Sequence, residues 1–313
     1  MPFQSSTEIL AKAKNGTIPE KGMIISMNNK YVIMQNLTEN YIKKIFIDKK
    51  GQPDLWEIME YGVLNGGKRI RPVLLLASYE LFSPDFEKAL PFASALELIH
   101  SFSLVHDDLP AMDNDDLRRG KPTCHIKFNE YGAILAGDAL LTLAFEIMLE
   151  NACNFESSVK AMNKIVSSLG AKGMCAGQMV DMKSEIKDFS ELAKMHKNKT
   201  GALINASVTA GAILGGASVN DIEILSEYAD LIGLLFQIKD DMLDITSDES
   251  ILGKPVLSDQ KNNKITFVSE YGLEKCQNLL DEYCEKAVNL LDKFGEKAEF
   301  LKNLAVFIKT RNK

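Results

Sequence analysis

The sequence predicts an all-α protein, and three observations support this. Apolar residues recur at intervals of three and four, for example at Leu96, Ile99 and Phe102. No segment alternates apolar and polar residues in the way a half-buried strand does, and no Asn-Gly turn joins two β-rich segments. The 9 prolines mostly separate the helical patterns, at positions typical of helix starts and loops. We therefore expect a single-domain helical bundle.

Individual segments agree with this prediction. A helical pattern begins near Leu55 and ends at Asn65-Gly66-Gly67, where glycine is a usual helix stop. The segments 133–148 and 204–214 are apolar on most faces, which favours positions inside a large bundle rather than on its surface. The small residues between Ala206 and Ala217 suit close packing of helices.

The composition is that of one globular domain with a different N-terminal segment. The chain has 313 residues, of which 46% are hydrophobic and 25% charged, so a disordered or fibrous protein is excluded. Residues 1–33 are mixed polar and contain Gly16, Pro19 and Gly22, and we expect them to be a flexible extension; the alternative is that translation starts at a later Met, such as Met23, Met27 or Met34. No low-complexity linker follows residue 40, so residues 34–313 are expected to form one domain.

Charge and cysteine content exclude several classes of function. The 43 acidic and 36 basic residues give a net charge of −7, which argues against a general nucleic-acid-binding protein. Five cysteines without close pairing indicate a reducing compartment, and we expect a cytoplasmic location. No run of 18 apolar residues predicts a membrane span, and the N-terminus does not have the pattern of a signal peptide.

Two aspartate clusters each follow an apolar helical segment. The aspartates that we select as metal ligands are Asp107, Asp108 and Asp113 in the first cluster and Asp240, Asp241 and Asp244 in the second. A single acidic run is usually solvated, but two runs at the ends of apolar helices favour a functional site. Carboxylates spaced by four residues lie on one helix face and repel each other unless a cation neutralises them. Mg²⁺ prefers such oxygen ligands and bridges them to phosphates.

Cations close to these aspartates indicate an anionic ligand. The turn from Gly66 to Pro72 contains Lys68, Arg69 and Arg71, and Arg118 and Arg119 directly follow the first aspartate cluster. Main-chain N–H groups at a glycine turn, together with Lys and Arg, form a typical anion site. Lys199-Thr200 and Lys254 supply further candidates. Aspartates for a metal and cations for phosphate together predict a polyphosphate substrate.

The chain resembles the trans-isoprenyl diphosphate synthases, and bacterial members in particular. The segment "SLVHDDLPAMDNDDLRRGKPT" is similar to the first aspartate-rich motif of that family, including the two-residue insertion of bacterial members. The segment "FQIKDDMLD" is similar to the second motif. "GGKRIRP", "GMCAGQMVDM", "KTGALI" and "LGKP" also match in the family's order, and the resemblance covers about Gln35 to Lys313.

The resemblance implies an all-α bundle of the isoprenoid synthase type around a deep central cavity, and a homodimer. It implies head-to-tail condensation of isopentenyl diphosphate with dimethylallyl or geranyl diphosphate to give farnesyl diphosphate. It also implies three Mg²⁺ ions, held by Asp107, Asp113 and Asp240 with the other three aspartates near by. The residues implied for the allylic diphosphate are Arg118, Lys199 and Lys254, with Thr200 and Gln237 beside it, and those for isopentenyl diphosphate are Lys68, Arg71, His100 and Arg119.

Phe102 is the residue that we expect to limit product length. It lies five residues before Asp107, which on a helix is about 7.5 Å deeper. A large ring there would form the floor of the cavity, and in the family an aromatic residue at this position with the insertion goes with a C15 product. We expect His106 to have a structural role, because a histidine on an apolar helix usually does.

Three alternatives remain at this level. A geranylgeranyl diphosphate synthase of the same family would differ only in product length. A terpene cyclase would need an Asn/Ser/Glu-type second motif, whereas this chain has Asp-Asp-Met-Leu-Asp. A non-catalytic partner subunit of a longer-chain synthase is expected to lose one aspartate cluster, and both clusters are present here.

Overall fold

The computed structural model describes residues 20–47, 51–183, 186, 188–246 and 265–311, and in these ranges the protein is all-α, which confirms the predicted class. The α-helices are α1 (Glu20–Ile45), α2 (Pro53–Leu64), α3 (Ile70–Glu80), α4 (Leu90–Asp107), α5 (Cys124–Lys127), α6 (Glu130–Glu150), α7 (Ser158–Leu169), α8 (Met174–Lys183), α9 (Phe189–His196), α10 (Ala202–Gly215), α11 (Val219–Thr246), α12 (Phe267–Leu290) and α13 (Glu299–Thr310). A π-helical turn at Lys197–Gly201 joins α9 to α10.

Helix α10 lies at the centre of the bundle, as its all-round apolar sequence predicts. Most of its residues are buried, and it packs against α3, α7 and α11. Close approach to α3 depends on Gly211, where a Cβ atom would lie 2.2 Å from the carbonyl oxygen of Leu75. The run of small residues therefore brings the backbones of α3 and α10 into contact.

The sequence predicts that α6 lies inside the bundle, but the structure leaves one face of this helix exposed. One face packs against α4, but Ile134 and Leu135 on the other face are 43% and 53% exposed, and Tyr131 and Leu149 are also exposed. By length and composition alone, the segment Glu130–Asn154 would be able to cross a membrane, and 44% of its most apolar window is buried. The exposed face is therefore the part of this apolar sequence that the single chain does not cover. The absence of a membrane span stays a prediction.

Helix α1 crosses the boundary that the composition places between residues 33 and 34. It is continuous from Glu20 to Ile45 and packs against α3 and α4. Residues 1–19 lie outside the described residues, so the flexible extension stays a prediction. Tyr31, which the sequence placed in the extension, contacts the turn between α2 and α3.

A small β-hairpin interrupts the helical chain after α4. Strand β1 (Leu117–Arg118) pairs antiparallel with β2 (Lys121–Pro122), and Arg119-Gly120 forms the two-residue turn. Both turn residues have positive φ, 56° and 74°, as a hairpin whose twist matches its strands requires. The sequence pattern did not predict this hairpin, since two-residue strands are too short to show alternation.

Candidate active site

The glycine turn between α2 and α3 has a backbone conformation that requires glycine. Gly66 and Gly67 have φ values of 98° and 126°, which glycine alone adopts readily. Arg119 from the hairpin lies against this turn: its guanidinium donates to the carbonyl oxygen of Gly66, and a Cβ atom at Gly67 would lie 2.6 Å from its Nη1. The hairpin and the glycine turn therefore form one surface.

Arginine side chains surround His100 on α4. Burial lowers the pKa of His100 well below its ordinary value, and the positive charges of Arg71, Arg119, Arg69 and Arg118 lower it further. The imidazole is therefore neutral at pH 7 and can donate one ring N–H group. Arg69 and Arg118 form ion pairs with carboxylates, whereas Arg71 and Arg119 have no ion pair among the described residues, so these two guanidinium groups are the ones that would attract an anion.

Arg71 has the features expected of a residue that binds an anion. Burial lowers its pKa to about 10, and Glu97 partly opposes this effect, so the side chain is still charged at pH 7. Among the described residues, its buried Nε has no hydrogen-bond partner. A buried donor without an acceptor is costly, and an oxygen of a bound diphosphate would satisfy it.

The first aspartate cluster begins at the last residue of α4. Burial raises the pKa of Asp107 from 3.8 to about 6, Lys199 opposes this effect, and Asp113 and Asp108 add to it. The chain then folds back, so that the amide of Asp113 donates to the carbonyl oxygen of Asp107 at 2.9 Å. Arg118 opposes the effect of burial as Lys199 does, so burial and not surrounding negative charge makes ionisation of Asp107 unfavourable, and a bound cation would stabilise the ionised form.

Asp108 has a different environment from Asp107. It is buried, and Nε of Arg118 donates to its Oδ1 at 2.9 Å, while Nη2 contacts the same oxygen and lies 3.2 Å from Asp115. Burial raises the pKa of Asp108 although Arg118 opposes this. Asp108 therefore holds Arg118 and the hairpin in place in the unliganded protein.

Lys199 reaches the site from the π-helical turn. Its Nζ donates to Oδ2 of Asp181 on α8 at 2.6 Å. Helix α8 approaches the turn closely at Gly177, where a Cβ atom would lie 2.1 Å from the amide nitrogen of Lys199. Thr200, the next residue, is half-buried. Gln178 on α8 has a buried side-chain amide with no hydrogen-bond partner among the described residues, and the sequence reasoning did not select it.

The second aspartate cluster lies near the C-terminal end of α11, and its members differ. Asp241 is buried; its Oδ1 accepts from Gln237 at 2.8 Å and its Oδ2 from the amide of Phe267, the first residue of α12, at 2.8 Å. Asp244 is also buried. Asp240 is about half-exposed and forms an ion pair with Arg311 near the C-terminus. Asp240 is thus the cluster's most accessible carboxylate, and Asp241 joins α11 to α12.

The π-helical turn has contacts with the first aspartate cluster and with the helix that carries the second. The charge of Lys199 reaches Asp107, and the backbone of Gly201 lies against Gly233 of α11, one turn before Gln237. Of the predicted site residues, Lys68 lies exposed on the glycine turn, and Lys254 lies outside the described residues. The described predicted site residues thus lie on or beside α3, α4, the hairpin, the π-helical turn and α11, and their joint role as one site stays a prediction.

Phe102 and His106 form a pair on α4. Their rings meet edge to face with centroids 5.2 Å apart, and Phe102 is half-buried. His106 Nε2 lies 3.0 Å from the carbonyl oxygen of Ile134 on α6, and a Cβ atom at Gly137 would lie 2.1 Å from the same nitrogen. These contacts fit the structural role predicted for His106 and place it behind the Phe102 ring.

The first cluster fits Mg²⁺ by the chemistry of its donors. Asp107 and Asp113 supply hard oxygen ligands, and burial makes the ionised form of Asp107 unfavourable unless a cation is bound. Within the described residues, no group of three or more ligating side chains is already arranged for a metal. Mg²⁺ is commonly bound through one or two carboxylates together with substrate phosphates, and this donor set suits that mode.

Comparison with known proteins gives relatives that match most of this chain. The family model described as polyprenyl synthetase matches residues 52–303. A farnesyl diphosphate synthase of Micrococcus luteus is 42% identical over 88% of this chain and 96% of its own length. A geranylgeranyl diphosphate synthase of Cyanophora paradoxa is 45% identical over 84% of this chain and 90% of its own.

The fold agrees with a solved structure as well. The apo crystal structure of an FPP/GFPP synthase from Zymomonas mobilis superposes with a TM-score of 0.79 at 34% identity, over 91% of this chain and all of that one. The matched region contains the glycine turn and both aspartate clusters, which the resemblance of their motifs predicted. This chain is therefore a member of the polyprenyl synthetase family.

Proposed function

We propose that this protein is a Mg²⁺-dependent prenyltransferase that condenses isopentenyl diphosphate head-to-tail with dimethylallyl and then geranyl diphosphate, giving farnesyl diphosphate. One observation carries the proposal: a neutral His100 among arginines lies on the same helix as the partly buried carboxylate of Asp107, whose ionised form a metal ion would stabilise. An enzyme with two diphosphate substrates and bound metal ions needs both features. The relatives named as farnesyl diphosphate synthases support the reaction class.

The charges of the site account for the first chemical event. The allylic C–O bond breaks heterolytically when the negative charge on the departing diphosphate is neutralised. Lys199 and Arg118 supply positive charge on the protein side. Asp107, Asp113 and Asp240 would hold Mg²⁺, which when bound neutralises the leaving diphosphate. The family resemblance leads us to propose three ions, and to add Lys254 to the cations.

The second event is formation of a carbon–carbon bond. The double bond of isopentenyl diphosphate, held by Lys68, Arg71, His100 and Arg119, attacks the allylic cation. Loss of a proton from the adjacent carbon then forms the new double bond, and the released diphosphate accepts that proton. Apolar side chains around the cation exclude water, which would otherwise capture it.

Phe102 favours the C15 product over the C20 alternative. Its ring is half-buried on α4 and is backed by His106, which itself contacts α6. Because His106 has little room to move toward Gly137, the Phe102 ring has a firm support. We propose that this pair ends chain growth at farnesyl diphosphate.

We also propose a homodimer in the cytoplasm. The exposed apolar residues of α6, which include Tyr131, Ile134, Leu135 and Leu149, recur at helical spacing on one face. Asp138, Thr142 and Glu146 are exposed among them, so the patch is mixed, and its exposed apolar side chains are of the kind found at protein–protein interfaces. A second copy of this chain would bury it, and light scattering tests this directly: a monomer at micromolar concentration would contradict the dimer.

The function is tested with purified protein, isopentenyl diphosphate and dimethylallyl diphosphate, with Mg²⁺ and with EDTA, by chromatography of the dephosphorylated products. We expect a C15 product that requires Mg²⁺. A C20 product would keep the reaction and overturn the role of Phe102. No product from either allylic substrate would overturn the proposed function and favour a non-catalytic partner subunit.

A further inference from the structure

Arg69 is a buried residue that joins three helices beneath the glycine turn. Only 2% of its surface is exposed. Its Nη1 donates to Glu97 of α4 at 2.7 Å, its Nη2 donates to the carbonyl oxygen of Val63 in α2 at 2.9 Å, and its Nε donates to Glu39 of α1 at 3.3 Å. Each nitrogen of the guanidinium group thus donates a hydrogen bond to a different helix.

The backbone of Arg69 is strained where these contacts meet. Its φ is 54° and its ψ is 36°, a left-handed conformation that is unfavourable for a residue with a Cβ atom. Arg69 also directly precedes α3, so this conformation sets the direction in which that helix leaves the turn. Strain of this kind persists only where surrounding contacts fix it, and it is concentrated at binding sites.

Helix α1 fixes the backbone of the same turn from outside. Tyr31, Gln35 and Glu39 are spaced by four residues and so lie on one face. The Tyr31 hydroxyl donates to the carbonyl oxygen of Lys68, and the Gln35 amide donates to that of Gly67 at 3.3 Å. In a planar trans peptide the next N–H group points the opposite way, so the amides of Lys68 and Arg69 turn away from α1.

Glu97 connects this arrangement to the arginines around His100. It is 1% exposed and lies one turn before His100 on α4. Its charge favours the protonated, positive forms of Arg71 and Arg119. Removing one partner of a buried ion pair leaves an uncompensated charge, so Glu97 and Arg69 depend on each other.

We propose that Arg69 is a positioning residue which, held by Glu97 and by the Tyr31–Gln35–Glu39 face of α1, sets the glycine turn so that Lys68 and Arg71 bind the diphosphate of isopentenyl diphosphate. This inference rests on the proposed function, because it assigns that substrate to the turn. Arg69 itself donates to protein groups and does not touch the substrate. Its effect is therefore expected in the binding of one substrate and not in the chemical step.

The test uses substitutions on α1, where the fold is least at risk. Tyr31→Phe combined with Gln35→Ala removes both hydrogen bonds to the turn, and Glu39→Gln weakens the third contact of Arg69. The matched control is Tyr41→Phe combined with Asn36→Ala: both residues lie on α1, and neither has a contact with the turn among the hydrogen bonds described. KM for each substrate, kcat and Tm are measured for all of them.

The expected result is a rise of about five- to tenfold in KM for isopentenyl diphosphate, the size that loss of one or two ordinary hydrogen bonds would give. KM for dimethylallyl diphosphate and kcat stay within about twofold of wild type, as do all values for the control. If both KM values and Tm change together, or if no KM value changes, the positioning role is overturned.

Binding of isopentenyl diphosphate alone, measured by calorimetry, separates this proposal from the function. A wild-type protein that makes prenyl products while the α1 variants bind isopentenyl diphosphate normally refutes only the positioning role. A wild-type protein that makes no product refutes the proposed function, and the positioning role then survives only if the same variants weaken binding. Arg69→Lys, which keeps the charge but cannot make three separate contacts, should weaken binding more than either α1 variant.

Discussion

Replacing Asp107 by Asn should stabilise the ligand-free protein while abolishing its activity. Burial is the main reason that the pKa of Asp107 is raised from 3.8 to about 6, so ionisation of this side chain is unfavourable in the folded state. Taken at face value, this raised pKa corresponds to about 3 kcal/mol at pH 7.5. Asp107 is partly exposed, and solvent screening reduces the expected gain to about 1–2 kcal/mol.

The expected change in Tm follows from the size of the protein. Unfolding entropy is about 2 cal/mol/K per residue, so a gain of 1–2 kcal/mol raises Tm by about 2–3 °C in a chain of this length. The pH dependence of Tm tests the sign of the contribution that Asp107 makes to the free energy of unfolding. Because the folded pKa is raised, the favourable contribution of Asp107 is present below pH 3.8 and is lost as pH rises through about 6. The difference between variant and wild type should therefore fall to about half at pH 5.

The assay is thermal unfolding of the apo protein at pH 7.5 and pH 5, with Asp116→Asn as the control because Asp116 is an exposed carboxylate of the same loop. Mg²⁺ with inorganic diphosphate should raise the Tm of wild type and of the control more than that of Asp107→Asn. A variant that is less stable than wild type at pH 7.5, or one whose gain is larger at pH 5, would refute this account of the site's charge.

Three further substitutions test separate parts of the site. Phe102→Ala should yield products longer than C15 by chromatography, and an unchanged product would overturn its role as the floor. Gly177→Ala places a Cβ atom 2.1 Å from the amide nitrogen of Lys199 and so displaces that residue. We expect kcat to fall at least about tenfold and the KM for isopentenyl diphosphate to change little. An unchanged kcat would contradict this expectation. Arg311→Ala removes the ion-pair partner of Asp240. The Mg²⁺ concentration that gives half-maximal activity should then fall about two- to fivefold. A Mg²⁺ titration in which this concentration rises would contradict the expectation.

Much of the candidate site was predictable because its groups are close together in the sequence. Three short motifs indicate their chemistry from residue type and spacing alone. They are the aspartates at 107, 108 and 113, the cations from Lys68 to Arg71 and the pair Arg118-Arg119. The two hairpin strands were missed because a two-residue strand carries no periodic signal. Arg69 was noted only as one of three cations, since nothing in the local sequence shows that it is the buried one.

The sequence by itself determined the all-α class, the buried position of α10 and the residue types at the site. These depend on periodicity and on neighbours within a few positions. The tertiary structure alone decided which groups the carboxylates of the second cluster contact: Asp241 accepts from the amide of Phe267, 26 residues later, and Asp240 pairs with Arg311, 71 residues later. It also decided that one face of α6 is exposed. Packing fixes such pairings because each depends on the relative placement of whole helices, which no local pattern encodes.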